Sequence, residues 1–181
     1  MLHLVVELSP ERWDEKNEVF VAAETVTLQL EHSLVSLSKW ESKWCKPFLT
    51  KQEKTVEEIV DYIKCMTITQ NVKPEVYNML SRANIEEIND YINAPMTATT
   101  FSEDPNAKRN REVITSELIY YWMVALGVPS EYQKWHLNRL LTFIRLCEIK
   151  NRPPKKQGAK QTWNQYAALN AARRKQLNSK G

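Results

Sequence analysis

Glycine is scarce in this chain, with three in 181 residues. So few argue against a glycine-rich phosphate loop and against a turn-dense β-sandwich. Cysteine is as rare: Cys45, Cys65 and Cys147 form no close pair and no CxxC, so they point to small packed hydrophobes, not to zinc or a disulfide framework. No apolar run approaches the ~20 residues needed to span a bilayer. The start, MLHLVVELSPERW, has neither the basic opening nor the small-residue cleavage site of a signal peptide. A soluble, intracellular chain without membrane contact is expected. HExxH, GxSxG, Walker-type and EF-hand patterns are all missing.

The titratable residues do not compensate for those gaps. His3, His32 and His136 are scattered, with no nucleophile or paired carboxylate at readable spacing, so they read as packed or surface histidines. The acidic groups Glu57-Glu58-Asp61 and Glu86-Glu87-Asp90 lack a supporting His or Cys and read as solvated helix faces and first-turn dipole charges. No catalytic residue, metal or cofactor is expected, and an enzyme is the least favoured class.

Acid is the last absence. Residues 150–181 hold nine Lys and Arg and no Asp or Glu, whereas residues 1–149 hold 16 Lys and Arg against all 22 Asp and Glu, a net −6. This split predicts a body over 1–151 and a basic linker and tail over 152–181, each suited to a different partner.

A hydrophobic content of 43% is enough for a core. Leu2, Leu4 and Val6 alternate with His3, Val5 and Glu7, a turn signal stands at Ser9-Pro10, and strand character returns at Glu18–Phe20 and Thr25–Leu30. A small antiparallel sheet of two or three strands is expected, too marginal to stand without a helix over it. Glu31–Trp44 is the candidate cover, with Leu34, Leu37, Trp40 and Trp44 at helical spacing and serines 33, 36 and 38 lowering its intrinsic tendency. That helix either buries its tryptophans and exposes Ser33, Ser36, Lys39 and Lys43, or presents Trp40 and Trp44 to a partner. Thr55 and Glu58 form a capping box for a helix to about Met66. Pro74 suits the first turn of a short helix, and Asn84 is placed to cap another with Ile85, Ile88 and Ile92 as its stripe. Residues 94–110, about 17 of them, read as a long loop or as a pairing of short extended pieces.

The densest apolar stretch runs from Arg111 to Asn151 and reads as an antiparallel helical hairpin, the expected folding core. Its first stripe is Ile114, Leu118, Tyr121, Trp122 and Ala125, closed by Gly127 and Pro129. Ser130 and Gln133 suit a second capping box ahead of Leu137, Leu140, Leu141, Ile144 and Cys147. Tyr120, Lys134, Asn138 and Arg139 fall outside the stripes and form a candidate contact face. In the tail the candidates are Arg152, Lys155, Lys156, Trp163, Arg173, Arg174 and Lys175, beyond a stiff Pro153-Pro154 link and within a weakly helical segment. Their composition suits nucleic acid or an acidic protein surface, including the body of another copy. The fold class expected is mainly α with a small N-terminal antiparallel β-sheet, α+β.

Four stretches are distinctive beyond their periodicity: LEHSLVSLSKWESKWCKPF at 30–48, MTATTF at 96–101, EVITSELIYYWMVALGVPSEYQKWHLNRLLTFIRLCEIKN at 112–151 and ALNAARRKQLN at 168–178. Together they resemble the tail assembly chaperones of long-tailed bacteriophages, over most of the chain. The resemblance implies a non-enzymatic protein of the infected host's cytoplasm. Such chaperones coat the long helical tape measure protein and recruit tail tube subunits, and they are absent from the finished particle. It also implies a gene just upstream of the tape measure gene, often with a frameshifted longer product. Two other readings stay open: a virion structural protein of the neck or tail, and a nucleic-acid-binding accessory factor acting through the basic tail.

Overall fold

The computed structural model describes residues 1–15, 18–101, 112–152 and 159–177. The chain divides into two units, Met1–Glu148 and Ile149–Gly181.

In the first unit, β1 (Leu2–Ser9) pairs antiparallel with β4 (Glu24–Leu30), with Leu4 opposite Leu28 and Val6 opposite Val26. The alternation puts Leu4, Val6, Leu28 and Leu30 on one face, each fully buried. The outer edge of β4 is also satisfied: Glu31 N–H donates to Met66 O at 2.9 Å, Ile68 N–H to Gln29 O at 2.8 Å, and Gln29 N–H to Thr69 Oγ1 at 2.8 Å. A short extended run after residue 66 thus protects an edge that would otherwise invite pairing. Between them, β2 (Arg12–Asp14) and β3 (Val19–Val21) form a separate exposed ribbon, with Trp13 edge-on to Phe20.

The helix α1 spans Leu34–Trp44, three residues shorter at its start than expected. Ser33 is its N-cap, and its hydroxyl accepts from Ser36 N–H while Ser36 Oγ accepts from Ser33 N–H. Ser33 and Ser36 are buried, not exposed as expected from the sequence, because their hydroxyls bond local backbone and need no water. Lys39 and Lys43 do face solvent.

The arrangement turns on α1. Trp40 belongs to the larger apolar cluster, with the sheet, α2 (Val56–Met66) and α3 (Arg82–Asn93). Leu34 and Leu37 belong to a second cluster with Ile119, Met123, Leu137, Leu140 and Ile144. The 111–151 region expected to be the folding core therefore carries the smaller of two cores.

The capping box of α2 forms as predicted, with Thr55 Oγ1 accepting from Glu58 N–H at 3.2 Å and Glu58 Oε2 accepting from Thr55 N–H at 2.8 Å. Thr55→Ala is expected to lower stability by about 1 kcal/mol, read as a shift in urea midpoint. In α3 the cap is Ser81, one turn before the expected Asn84, which instead sits at the third helical position and closes the box with Oδ1. Residues Pro74–Met79 form a 3₁₀ helix.

The helical pair of 111–151 appears as α4 (Ser116–Ala125) and α5 (Leu137–Asn151). Gly127 takes φ +65°, with Val128 N–H bonded to Met123 O and Gly127 N–H to Val124 O, the Schellman closure that a left-handed residue permits. Ser130 caps nothing: Ser130–Lys134 is a 3₁₀ helix without a side-chain cap, and α5 starts later. The covered face of α4 is Ser116, Ile119 and Met123, while Tyr121 and Ala125 of the expected stripe are exposed. This helix is apolar on nearly every side, so its periodicity does not select a face. Of the expected stripe of α5, Leu137, Leu140 and Ile144 are buried, while Leu141 and Cys147 are half-buried.

In the second unit, α6 (Ala159–Gln176) is an 18-residue helix. Its described side chains are exposed. Among the described residues no helix is long and apolar enough to cross a membrane.

Candidate functional site

On α2, Ile59 and Ile63 stand one turn apart; on α3, Ile85, Ile88 and Ile92 repeat at three and four. With Phe48 these residues line a cleft of about 310 Å³. Ile59 at its mouth is 40% exposed. Phe48 stacks on Tyr62 with centroids 3.8 Å apart, and the Lys54 ammonium lies 4.6 Å from the Phe48 ring centroid. The polar lining consists of Gln52, Asn89, Asn93 and Lys54, with no carboxylate or imidazole aimed inward. Such a lining suits apolar side chains. The isoleucine stripes are legible in the sequence, but not the gap between them.

The aromatic candidates of α1 are structural. Trp40 is 1% exposed and its Nε1 donates to Glu58 O at 2.8 Å, so it does not face a partner. Trp44 is half-buried, its Nε1 donating to Asp61 Oδ2 at 2.9 Å, and Lys43 pairs with the same carboxylate. Lys46 pairs with Glu58 at 2.6 Å. Hydrogen bonding from Lys46 and then Thr55 holds the Glu58 carboxyl below the usual range. Burial pushes Asp61 up, but the bonds from Lys43 and Trp44 more than offset it and leave it lowered.

The proposed contact face of α4 and α5 also separates. Tyr120 is half-buried, its hydroxyl donating to Gln133 Oε1 at 3.0 Å, and burial raises its phenol. Asn138 Nδ2 donates to Ile92 O and Ala94 O, both at 2.9 Å, tying α5 to the end of α3. These two are packing residues, and the exposed aromatic next to them is Tyr121. Lys134 and Arg139 do face outward. The Arg139 guanidinium lies 4.2 Å from the Trp135 ring centroid, beside a cleft of about 200 Å³ formed with Thr97, Thr99 and Phe143. Of the tail candidates, Arg152, Trp163, Arg173, Arg174 and Lys175 are exposed. Lys155 and Lys156 lie outside the described residues, as do 102–110 of the long loop.

Two groups that carry no motif hold the body together. Glu41, buried in α1, accepts from Phe48 N–H at 2.8 Å and from Ser116 N–H at 2.7 Å, linking α1 to the following turn and to the first residue of α4. His32 and His136 lie with ring centroids 5.1 Å apart where Leu137 N–H donates to His32 O at 2.7 Å. Tyr62, whose phenol is raised by burial, keeps its proton and shares a hydrogen bond with His32 Nδ1 at 2.6 Å. His136 donates from Nε2 to Tyr91 O at 3.0 Å and accepts at Nδ1 from Asn138 N–H. Burial, then the charge of His136, lowers His32 to about 3; burial also lowers His136, against the raising effects of the Tyr91 carbonyl and Glu31. Both rings are buried and neutral, and both nitrogens of His136 are hydrogen-bonded, which makes the pair structural.

Among the described residues no group of three or more His, Cys, Asp and Glu could hold a metal ion. No family model, curated protein or solved structure matches the chain.

Proposed function

We propose that this chain is a tail assembly chaperone of a long-tailed bacteriophage, holding helical segments of the tape measure protein while tail tube subunits are brought to it. The reading is carried by the resemblance of stretches such as SKWESKW at 38–44 and KWHLNRLL at 134–141 to that family. In the fold those words contain Trp40, Glu41, His136 and Leu137, the residues at the meeting point of the two cores. The open isoleucine cleft between α2 and α3 supplies a physical place for an amphipathic client helix, whose apolar anchors would enter it in the helix-in-groove mode.

Ile59→Arg places a charge at the mouth of the cleft on an exposed position, so fold stability should move by no more than about 0.5 kcal/mol. Recovery of a tape measure segment in co-purification should fall about ten-fold or more. Recovery at the wild-type level would remove the cleft from the proposal. Failure of the wild-type chain to recover either tape measure or tube protein would remove the chaperone reading itself. Stoichiometric presence in purified particles, seen by mass spectrometry, would favour a virion structural protein instead.

A further inference from the structure

We propose that α6 of one copy docks antiparallel on the outer face of α4 of a second copy, so that chains associate head to tail.

Each half of the contact is an exposed stripe, without a packing partner among the described residues. On α6 Trp163 and Tyr166 are 71% and 63% exposed, and Leu177, the residue after it, whose N–H bonds Arg173 O, is 76% exposed. At 100° per residue they fall within about 60° of one another, with Arg173 and Arg174 flanking them. A basic helix of this length has little stability of its own in water, and a stripe of this kind is usually covered in use. On α4, Tyr121 and Val124 are 66% and 81% exposed, and exposed Glu117 lies one turn before Tyr121 on the same side.

Charge decides the occupant. All 22 acidic residues of the chain lie in residues 1–149, and residues 150–181 carry nine Lys and Arg with no acid. The chain therefore contains both a basic aromatic helix and an acidic body bearing an apolar face. A second copy is the one partner whose complementary surface is fully specified. Spacing suits an antiparallel alignment. Glu117 and Val124 are seven residues apart, as are Tyr166 and Arg173, about 10 Å along each helix. Laid antiparallel with Tyr166 on Val124, Arg173 falls opposite Glu117; laid parallel with Tyr166 on Val124, it runs past the end of α4. Two different faces make a heterologous contact, which extends into a chain or closes into a ring. The proposal uses no client protein, so it stands or falls apart from the chaperone reading.

The test is the mass of the full-length protein by light scattering across a concentration series. In about 0.1 M salt the mass should rise above the monomer with concentration, and about 1 M salt should weaken association about ten-fold. Arg173→Glu with Arg174→Glu in one chain, and Glu117→Lys in another, should each weaken self-association about ten-fold or more with unchanged helicity. Mixing the two variants should restore association, because the native tail of one then meets the native Glu117 of the other and the two reversed faces are also complementary. A monomer at every concentration would overturn the proposal. So would association that ignores both variants. Two further outcomes also overturn it: a monomer in which Glu117→Lys changes Trp163 fluorescence, which is docking within one chain, and tail-dependent binding of a single-stranded oligonucleotide that Glu117→Lys leaves untouched, which is a nucleic-acid site.

Discussion

Glu41→Ala is expected to destabilise the body by about 3 kcal/mol, because it strands two backbone donors at once. Phe48 N–H and Ser116 N–H bond the two oxygens of this single carboxylate, and Ser116 is 1% exposed, so water does not replace the lost acceptor there. The Ser116 bond also places negative charge at the start of α4, where the helix dipole favours it. Glu41→Gln keeps one acceptor oxygen and turns the other position into a donor facing a donor, so it should recover less than half of the loss. Urea unfolding near neutral pH measures both, and a shift of roughly 1 to 2 M in midpoint is expected for Glu41→Ala. A shift no larger than that of Thr55→Ala would mean that the tie is not holding α1 to α4.

The second large effect is acid sensitivity well above the carboxylate range. His32 titrates near 6.5 when unfolded but is lowered to about 3 in the fold, and His136 is lowered as well. The unfolded chain then binds more protons than the folded one below about pH 6.5, so stability is complete above that pH and falls as pH drops through it. His32 alone accounts for about 2 kcal/mol between pH 6.5 and 5. His136 adds to this in the same direction, because protonating its Nδ1 sets an N–H against the N–H of Asn138. The charged groups facing the pair are Glu31, which bonds the Tyr91 hydroxyl at 2.7 Å, and the N-terminal amine, 3.0 Å from Glu31. The lowered carboxyls of Glu58 and Asp61 lose their stabilising contribution only at more acidic pH. Unfolding free energies at pH 7.5 and 5.0 in constant salt test the effect. His32→Gln, whose side-chain amide can still bond the Tyr62 hydroxyl, should flatten the profile by roughly half or more. An unchanged profile in that variant would assign the acid sensitivity elsewhere.

Much of the local structure was legible. The alternation of Leu2, Leu4 and Val6 marked a strand with one buried face, and Thr55 with Glu58 marked a helix start. Gly127 marked a stop. Errors came where two neighbours offered the same signal: Ser81 and Asn84 both suit a cap, and α4 is apolar on most sides, so its covered face was misplaced. The candidate contact residues were less legible still. Trp40, Tyr120 and Asn138 have the chemistry of a binding face, yet their polar atoms bond partners within the fold. Glu41 raised no signal, since one acidic residue on a helix has nothing in its neighbours to set it apart.

What the sequence by itself determined is what depends on residues within about four positions: caps, stops, strand alternation and the placement of every acid ahead of a basic tail. Only the tertiary structure decided that α1 stands between two cores, that Trp40 lies inside and that Glu41 ties three segments. Those outcomes rest on partners 18 and 75 residues away along the chain. Contacts at that separation are chosen by how whole faces pack together, which no local pattern encodes.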